Sequence, residues 1–227
     1  MSDTLISVED LSLSFPNHPV LSGLSFQVNR GDFLGVIGEN GIGKTTLVRV
    51  ILGQLHPSAG KVVIKNGVRI GYVPQFRNID VEYPLAIKDF VALNFTGLKL
   101  PWLSKKERTR VHQVIHQVGL EHIADRPLGL ASGGEKQKAY LAQALINHPD
   151  LLILDESTAS LDPNTKKELL DVVYRLNKTS GLTILFVSHD MQMIHEYPDH
   201  YLWLKKGQYE SGPIEDLHNE NKEGQYV

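Results

Sequence analysis

The first third of the chain alternates short apolar runs with Gly, Pro and Asn. The segments "LISVEDLSLSF", "LSFQVN", "DFLGVIG", "KVVIKNG" and "VRIGYVPQ" are rich in Val, Ile, Leu and Phe, a texture that predicts β-strands. One of them, Phe33–Ile37, runs directly into a glycine-rich loop and then into a helix expected over residues 45–55. Beyond Gln75 the period changes. Residues 85–119 read as helices, with Ser104 and Glu107 at capping-box spacing and Val111, Val114, Ile115 and Val118 on one face. Residues 76–130 therefore look like a helical insertion into an α/β body formed by residues 1–75 and 131–207. That body resumes with a helix over 132–147, the strand "LLILDE", and a helix capped by Asp162 with Pro163 in its first turn. The strands "LTILFVSHD" and "HYLWLKKG" follow, and residues 208–227 read as a loose polar tail. No internal repeat or low-complexity tract interrupts this order.

Composition narrows the class. A chain of 227 residues with 41% hydrophobic and 22% charged residues suits a soluble globular protein of one large or two small domains. The net charge of −3 gives no basic footprint for nucleic acid. The chain has no cysteine, which rules out disulfides and thiolate metal sites. The polar start "MSDTLISVEDLS" does not read as a secretory signal. Apolar runs such as "LLIL" are far shorter than the ~20 residues of a membrane span. Work at a membrane would have to pass through partners.

Two segments offer phosphate chemistry. "GENGIGKTT", residues 38–46, fits G-x-x-x-x-G-K-[ST] between a strand and a helix. Gly38, Glu39, Asn40, Gly41, Ile42 and Gly43 would turn successive backbone N–H groups toward phosphate oxygens. Lys44 would reach the β- and γ-phosphates, and Thr45, with Thr46 beside it, would offer a hydroxyl to Mg²⁺. The bland alternative is a glycine turn with a surface lysine. "LLILDE" ends a buried strand in two carboxylates at the rim where ligands collect. There Asp155 would hold Mg²⁺ and Glu156 would polarise an attacking water; an acidic helix cap is the plain alternative. A second glycine-led helix start, "ASGGEKQKAYLAQAL", lies at residues 131–145. Ser132 and Glu135 there can also simply form a capping box.

Taken in order, the P-loop, "VPQ", "SGGE", "LLILDE", "SLD" and "VSHD" resemble the ATP-binding-cassette family over about residues 5–207. The resemblance implies a P-loop NTPase of ABC type: a mainly parallel sheet flanked by helices, an N-terminal antiparallel β subdomain and a helical insertion. It implies ATP and Mg²⁺ as ligands, and Gln75 as a link between Mg²⁺, the attacking water and the insertion. It further implies His189 at the γ-phosphate, Phe15 stacked on adenine, and Ser160, Leu161 and Asp162 in a loop crossing to a second subunit. Taken singly, Phe15 reads as core, and His189 as a histidine at a strand end. In that family two cassettes pair head to tail, so Ser132, Gly133, Gly134 and Glu135 would serve the partner's ATP. Ala131 stands where the family usually has Leu, Glu135 where it has Gln, and Ser157 where it has Pro.

Within the family, "RIGYVPQFRNIDVEYPLAIKDFV" and "SGGE" resemble ATPase subunits of bacterial zinc, manganese or iron(II) importers. The resemblance implies a homodimer on the cytoplasmic face of the membrane, joined to permease subunits and, indirectly, to an extracytoplasmic solute-binding protein, with no nucleic-acid partner. His112 and His116, four residues apart, with His122 nearby, read as a solvated helix face before a metal site. Cassette ATPases acting on ribosomes or DNA, and non-hydrolysing clamps, are the rival readings. The first generally carry two cassettes or coiled-coil insertions, and Glu156 with His189 argues against the second.

Overall fold

The computed structural model describes residues 3–16, 18–75, 84–96, 102–158 and 161–217. Two sheets carry the architecture. The smaller is antiparallel, with β1 (Thr4–Phe15) between β2 (His18–Asn29) and β4 (Ala59–Ile64). The larger has six strands in the order β5 (Ile70–Val73), β6 (Leu151–Asp155), β7 (Thr183–Val187), β3 (Phe33–Ile37), β8 (His200–Lys205) and β9 (Gln208–Pro213). All of its pairings are parallel except β8 with β9.

The central strands explain why two layers cover this sheet. Every residue of β3, β6 and β7 is buried, and alternate side chains point to opposite faces of a strand. Phe33 and Ile37, Leu152 and Leu154, and Ile184 and Phe186 enter one core. Leu34 and Val36, Leu151 and Ile153, and Leu185 and Val187 enter the other. The first core is closed by α4 (Gly133–Leu145), α5 (Pro163–Ser180), α6 (Met191–Glu196) and the insertion helices α2 (Ile87–Ala92) and α3 (Lys105–Gln117). The second is closed by α1 (Lys44–Ile51) and the antiparallel sheet.

Local chemistry sets the ends of the helices. Helix α1 stops at Ile51 rather than at residue 55 because Gly53 takes φ 69° and its N–H bonds to the Val50 carbonyl. Ser104 caps α3 with Glu107 in a reciprocal box. Asp162 accepts from Thr165 N at 3.1 Å to cap α5, with Pro163 in the first turn. Helix α6 was not anticipated from the sequence; its cap is Asp190.

One expectation is corrected. Residues 208–217 are not a loose tail: β9 pairs with β8 from Gln208 opposite Lys205 to Pro213 opposite His200, and Leu217 is fully buried. Backbone pairing holds this polar strand, so its side-chain pattern gives little notice of it. Residues 218–227, like 76–83 of the insertion and Ser160, lie outside the described residues. Among the described residues no helix is long and apolar enough to cross a membrane.

Phe186 is completely buried and meets Phe33 edge-on, with ring centroids 6.4 Å apart. Phe186→Ala should cost about 3–5 kcal/mol of folding stability. Urea denaturation would show this as a lower midpoint at unchanged slope, and a midpoint equal to wild type would contradict the packing described.

Candidate functional site

The glycine-rich loop connects β3 to α1 at the carboxyl end of the large sheet. Gly43 takes φ 115°, and a Cβ there would lie 2.8 Å from Val20 Cγ1 of β2, so only glycine fits against the antiparallel sheet. As the N-cap of α1, Gly43 makes no side-chain capping bond. The first-turn N–H groups are thus available to an anion. Lys44 is 4% exposed. Its Nζ donates to the carbonyls of Gly38 at 2.8 Å and Glu39 at 3.0 Å, and lies 3.4 Å from Glu156 Oε1.

The end of β6 supplies the carboxylates. Asp155 is buried and accepts hydrogen bonds from Thr45 Oγ1 and from the Tyr72 hydroxyl, each at 3.3 Å. Burial holds its pKa above the usual carboxylate range, against the pull of the Tyr72 and Thr45 hydrogen bonds. Glu156 has φ 46°, a left-handed conformation uncommon outside glycine. Its N–H donates to Val187 O of β7. Gln75 Nε2 donates to Glu156 Oε2 at 3.1 Å, and His189 Nδ1 lies 3.9 Å from Glu156 Oε1. Ser157, in the position where proline was the family expectation, is fully buried, and its hydroxyl has no hydrogen-bond partner among the described residues.

Lys44, Thr45, Gln75, Glu156 and His189 line a cleft of about 410 Å³ together with Asn40, Gly41, Gly43 and Thr46, whereas Asp155 does not line it. Gly38 and Glu39 contribute carbonyls to Lys44 from beside it. Ile42 turns instead into the apolar cluster with Val20. Phe15 is 46% exposed at the end of β1 and does not line the cleft. Tyr72 went unnoticed in the sequence, although its position beside Ile153 in the β5–β6 register carries its hydroxyl to Asp155.

The second glycine-led helix start stands apart, and none of its residues lines this cleft. The Ser132 hydroxyl accepts from Glu135 N at 3.3 Å, and Glu135 Oε2 accepts from Ser132 N at 2.6 Å. The latter bond draws the Glu135 carboxyl below its usual range. A Cβ on Gly134 would fall 2.3 Å from Thr165 Cγ2 of α5, whereas one on Gly133 would meet only Leu161 at 3.9 Å. Gly134 is therefore a packing glycine, and Gly133 is exposed. Ala131 is buried. His116 is mostly exposed and lies 3.5 Å from Glu121; among the described residues no group of three or more His, Asp or Glu side chains is placed to hold a metal ion.

Comparison with known proteins matches residues 21–159 to the family model described as ABC transporter. A probable metal transport system ATP-binding protein of Thermotoga maritima is 33% identical, covering 96% of this chain and 88% of the relative. The zinc import ATP-binding protein ZnuC of Yersinia pestis is 37% identical, covering 91% and 78%. Among solved structures, cbiO1 of Clostridium perfringens, part of the ABC transporter complex cbiONQ, superposes with a TM-score of 0.82. It is 29% identical, with 96% of this chain and 92% of that one covered.

Buried Asp155 should tax folding in a pH-dependent way. Its pKa is higher folded than unfolded, so the folded state holds the proton more tightly and loses relative stability as pH rises between the two values. Above both, the cost is fully present. Without nucleotide or Mg²⁺, Asp155→Asn should therefore melt higher than wild type at neutral pH, with the gap closing toward acid. Thermal melts across that range check this, and a gap independent of pH would refute it.

Proposed function

The chain belongs to the ABC transporter family as an ATP-hydrolysing transport subunit, and from that premise we propose that it powers import of a divalent metal ion. The observation that carries the site assignment is the meeting of Lys44, Gln75 and His189 on Glu156, beside the Thr45–Asp155 pair. The relatives named for zinc import and metal transport support zinc, manganese or iron(II) as cargo.

In this reading the loop N–H groups of residues 38–46 and the start of α1 cradle the triphosphate. Lys44 gives up its contact with Glu156 for the β- and γ-phosphate oxygens. Glu156, released from the ammonium, accepts a proton from the attacking water while Gln75 and His189 hold that water and the γ-phosphate in line. The oxygen donors of Thr45, Asp155 and Gln75 suit Mg²⁺, a hard cation that prefers oxygen ligands. Mg²⁺ supplies neutralisation of the charge on the phosphates. In this reading Phe15, exposed at the end of β1, stacks on adenine.

The free face beside Gly133 supports a role in trans. Ser132, Gly133, Gly134 and Glu135 of a second copy would close over the γ-phosphate, with Asp162 in the crossing loop, so that ATP joins two chains and hydrolysis parts them. The working pair is a homodimer at the cytoplasmic face of the membrane. It is joined to permease subunits through the helical insertion and, through them, to an extracytoplasmic solute-binding protein.

Glu156→Gln should lower the ATPase rate by about 10²–10⁴-fold while ATP binding persists, measured by phosphate release and nucleotide titration; an unchanged rate would remove Glu156 from its role. Ser132→Arg should leave ATP binding nearly intact and abolish ATP-driven dimerisation in sedimentation experiments. Dimers that still form on ATP addition would sink the assignment in trans.

A further inference from the structure

At the amino ends of the strands, on the edge of the large sheet away from the nucleotide cleft, a second cavity of about 300 Å³ opens. This volume sits at the lower end of the roughly 300–1,000 Å³ typical of small-molecule sites. Its walls bring together Arg30 after β2, Arg69 before β5, Arg110 of α3, and His148 and Asp150 between α4 and β6. Three guanidiniums thus line the cavity with a single carboxylate, and Arg30 also pairs with Asp3 at 3.0 Å outside it.

Asp150 is already committed. It accepts from Arg30 Nη1 at 3.2 Å, from Arg69 Nε at 3.3 Å and from Arg69 N at 3.0 Å. Arg69 and Arg30 together hold its carboxyl below the usual range, so it stays ionised and fixes both arginines in place. Arg110 has no carboxylate partner among the described residues. It donates to the carbonyls of Leu145 and Ile146 at the end of α4, and burial lowers its pKa. In the bonds described, each guanidinium uses two of its five N–H groups, and the rest remain for a ligand.

Positive charge in excess is felt by the neighbouring imidazole. His148, three residues beyond the end of α4, takes a left-handed conformation, φ 51°, one that Gly or Asn adopts more readily. The residue chosen brings an imidazole into the cavity wall. Burial holds that imidazole's pKa low, and the charges of Arg110 and Arg69 lower it further.

We propose that this cavity is an anion site for a phosphate-bearing ligand, gripped by Arg30, Arg69 and Arg110 with His148 beside it. Guanidinium forks match a tetrahedral oxyanion in pairs of parallel hydrogen bonds. The ligand is either a free phosphate or phosphate ester, or the phosphate of a lipid headgroup.

The test is carried out on the full chain with MgADP saturating the nucleotide cleft. The His148 imidazole, identified by His148→Gln, is followed by NMR through pH titrations. Inorganic phosphate, glycerol 3-phosphate, and vesicles of phosphatidylglycerol or phosphatidylcholine are added separately, with sodium chloride at matched ionic strength as control. Phosphate or its ester should raise the His148 titration midpoint saturably; a rise with phosphatidylglycerol vesicles alone assigns the site to lipid. Arg69→Gln should weaken binding at least about tenfold, the loss expected for a charge-assisted hydrogen bond. Should Arg110→Gln disturb the end of α4, Arg110→Lys keeps a cation there without the fork, and should bind phosphate more weakly at an unchanged melting temperature. The proposal is overturned by no response to any phosphate source. An equal response to chloride, or one undiminished in Arg69→Gln and Arg110→Lys, overturns it as well.

Discussion

A lysine ammonium almost wholly withdrawn from solvent must be compensated, because burying an unpaired charge costs several kcal/mol. In this chain Lys44 is compensated from two directions. The carbonyls of Gly38 and Glu39 come from its own loop, and the Glu156 carboxylate comes from the end of β6. The loop can fold back in this way only because Gly43 lets it pass against Val20. Glu156 can reach Lys44 only because β6 and β3 end at the same edge, with β7 between them. The sheet order thus places a cation and a base within reach of one small group of oxygens.

The same carboxyl edge explains the strain and the cost gathered there. Glu156 adopts a left-handed backbone, Asp155 is desolvated and Ser157 keeps a buried hydroxyl without a partner among the described residues. Three consecutive residues each depart from what stability alone would select. Such clustering is the pattern of a site whose geometry serves a ligand. The two fully alternating cores beneath hold the edge rigid while leaving it exposed to solvent on the side where the phosphates would enter.

Much of this was legible in the sequence because the signals were strong and local. Unbroken apolar runs at Phe33–Ile37, Leu151–Asp155 and Thr183–Val187 gave the parallel strands, and capping chemistry at Ser104, Ser132 and Asp162 gave the starts of α3, α4 and α5. The glycine-lysine loop and the paired carboxylates marked the cleft. What escaped depends on contacts distant in sequence. Tyr72 reaches Asp155 only through strand register, and α6 is too short to show a period. Strand β9 is polar and gains its order from the backbone of β8. Helix α1 ended early for a local reason, the left-handed Gly53, that the sequence did display.

Strand β9 does more than extend the sheet. The Tyr209 hydroxyl accepts from Ser25 N and donates to Ser25 O, each at 3.1 Å, tying the last strand of the large sheet to β2 of the small one. A chain shortened at Gly207, where the polar texture begins, would sever that stitch and strip β8 of its outer neighbour. A bare run of unsatisfied amides and carbonyls invites edge-to-edge aggregation. The boundary that matters for handling this protein therefore falls after buried Leu217, ten residues beyond the point where hydrophobicity fades.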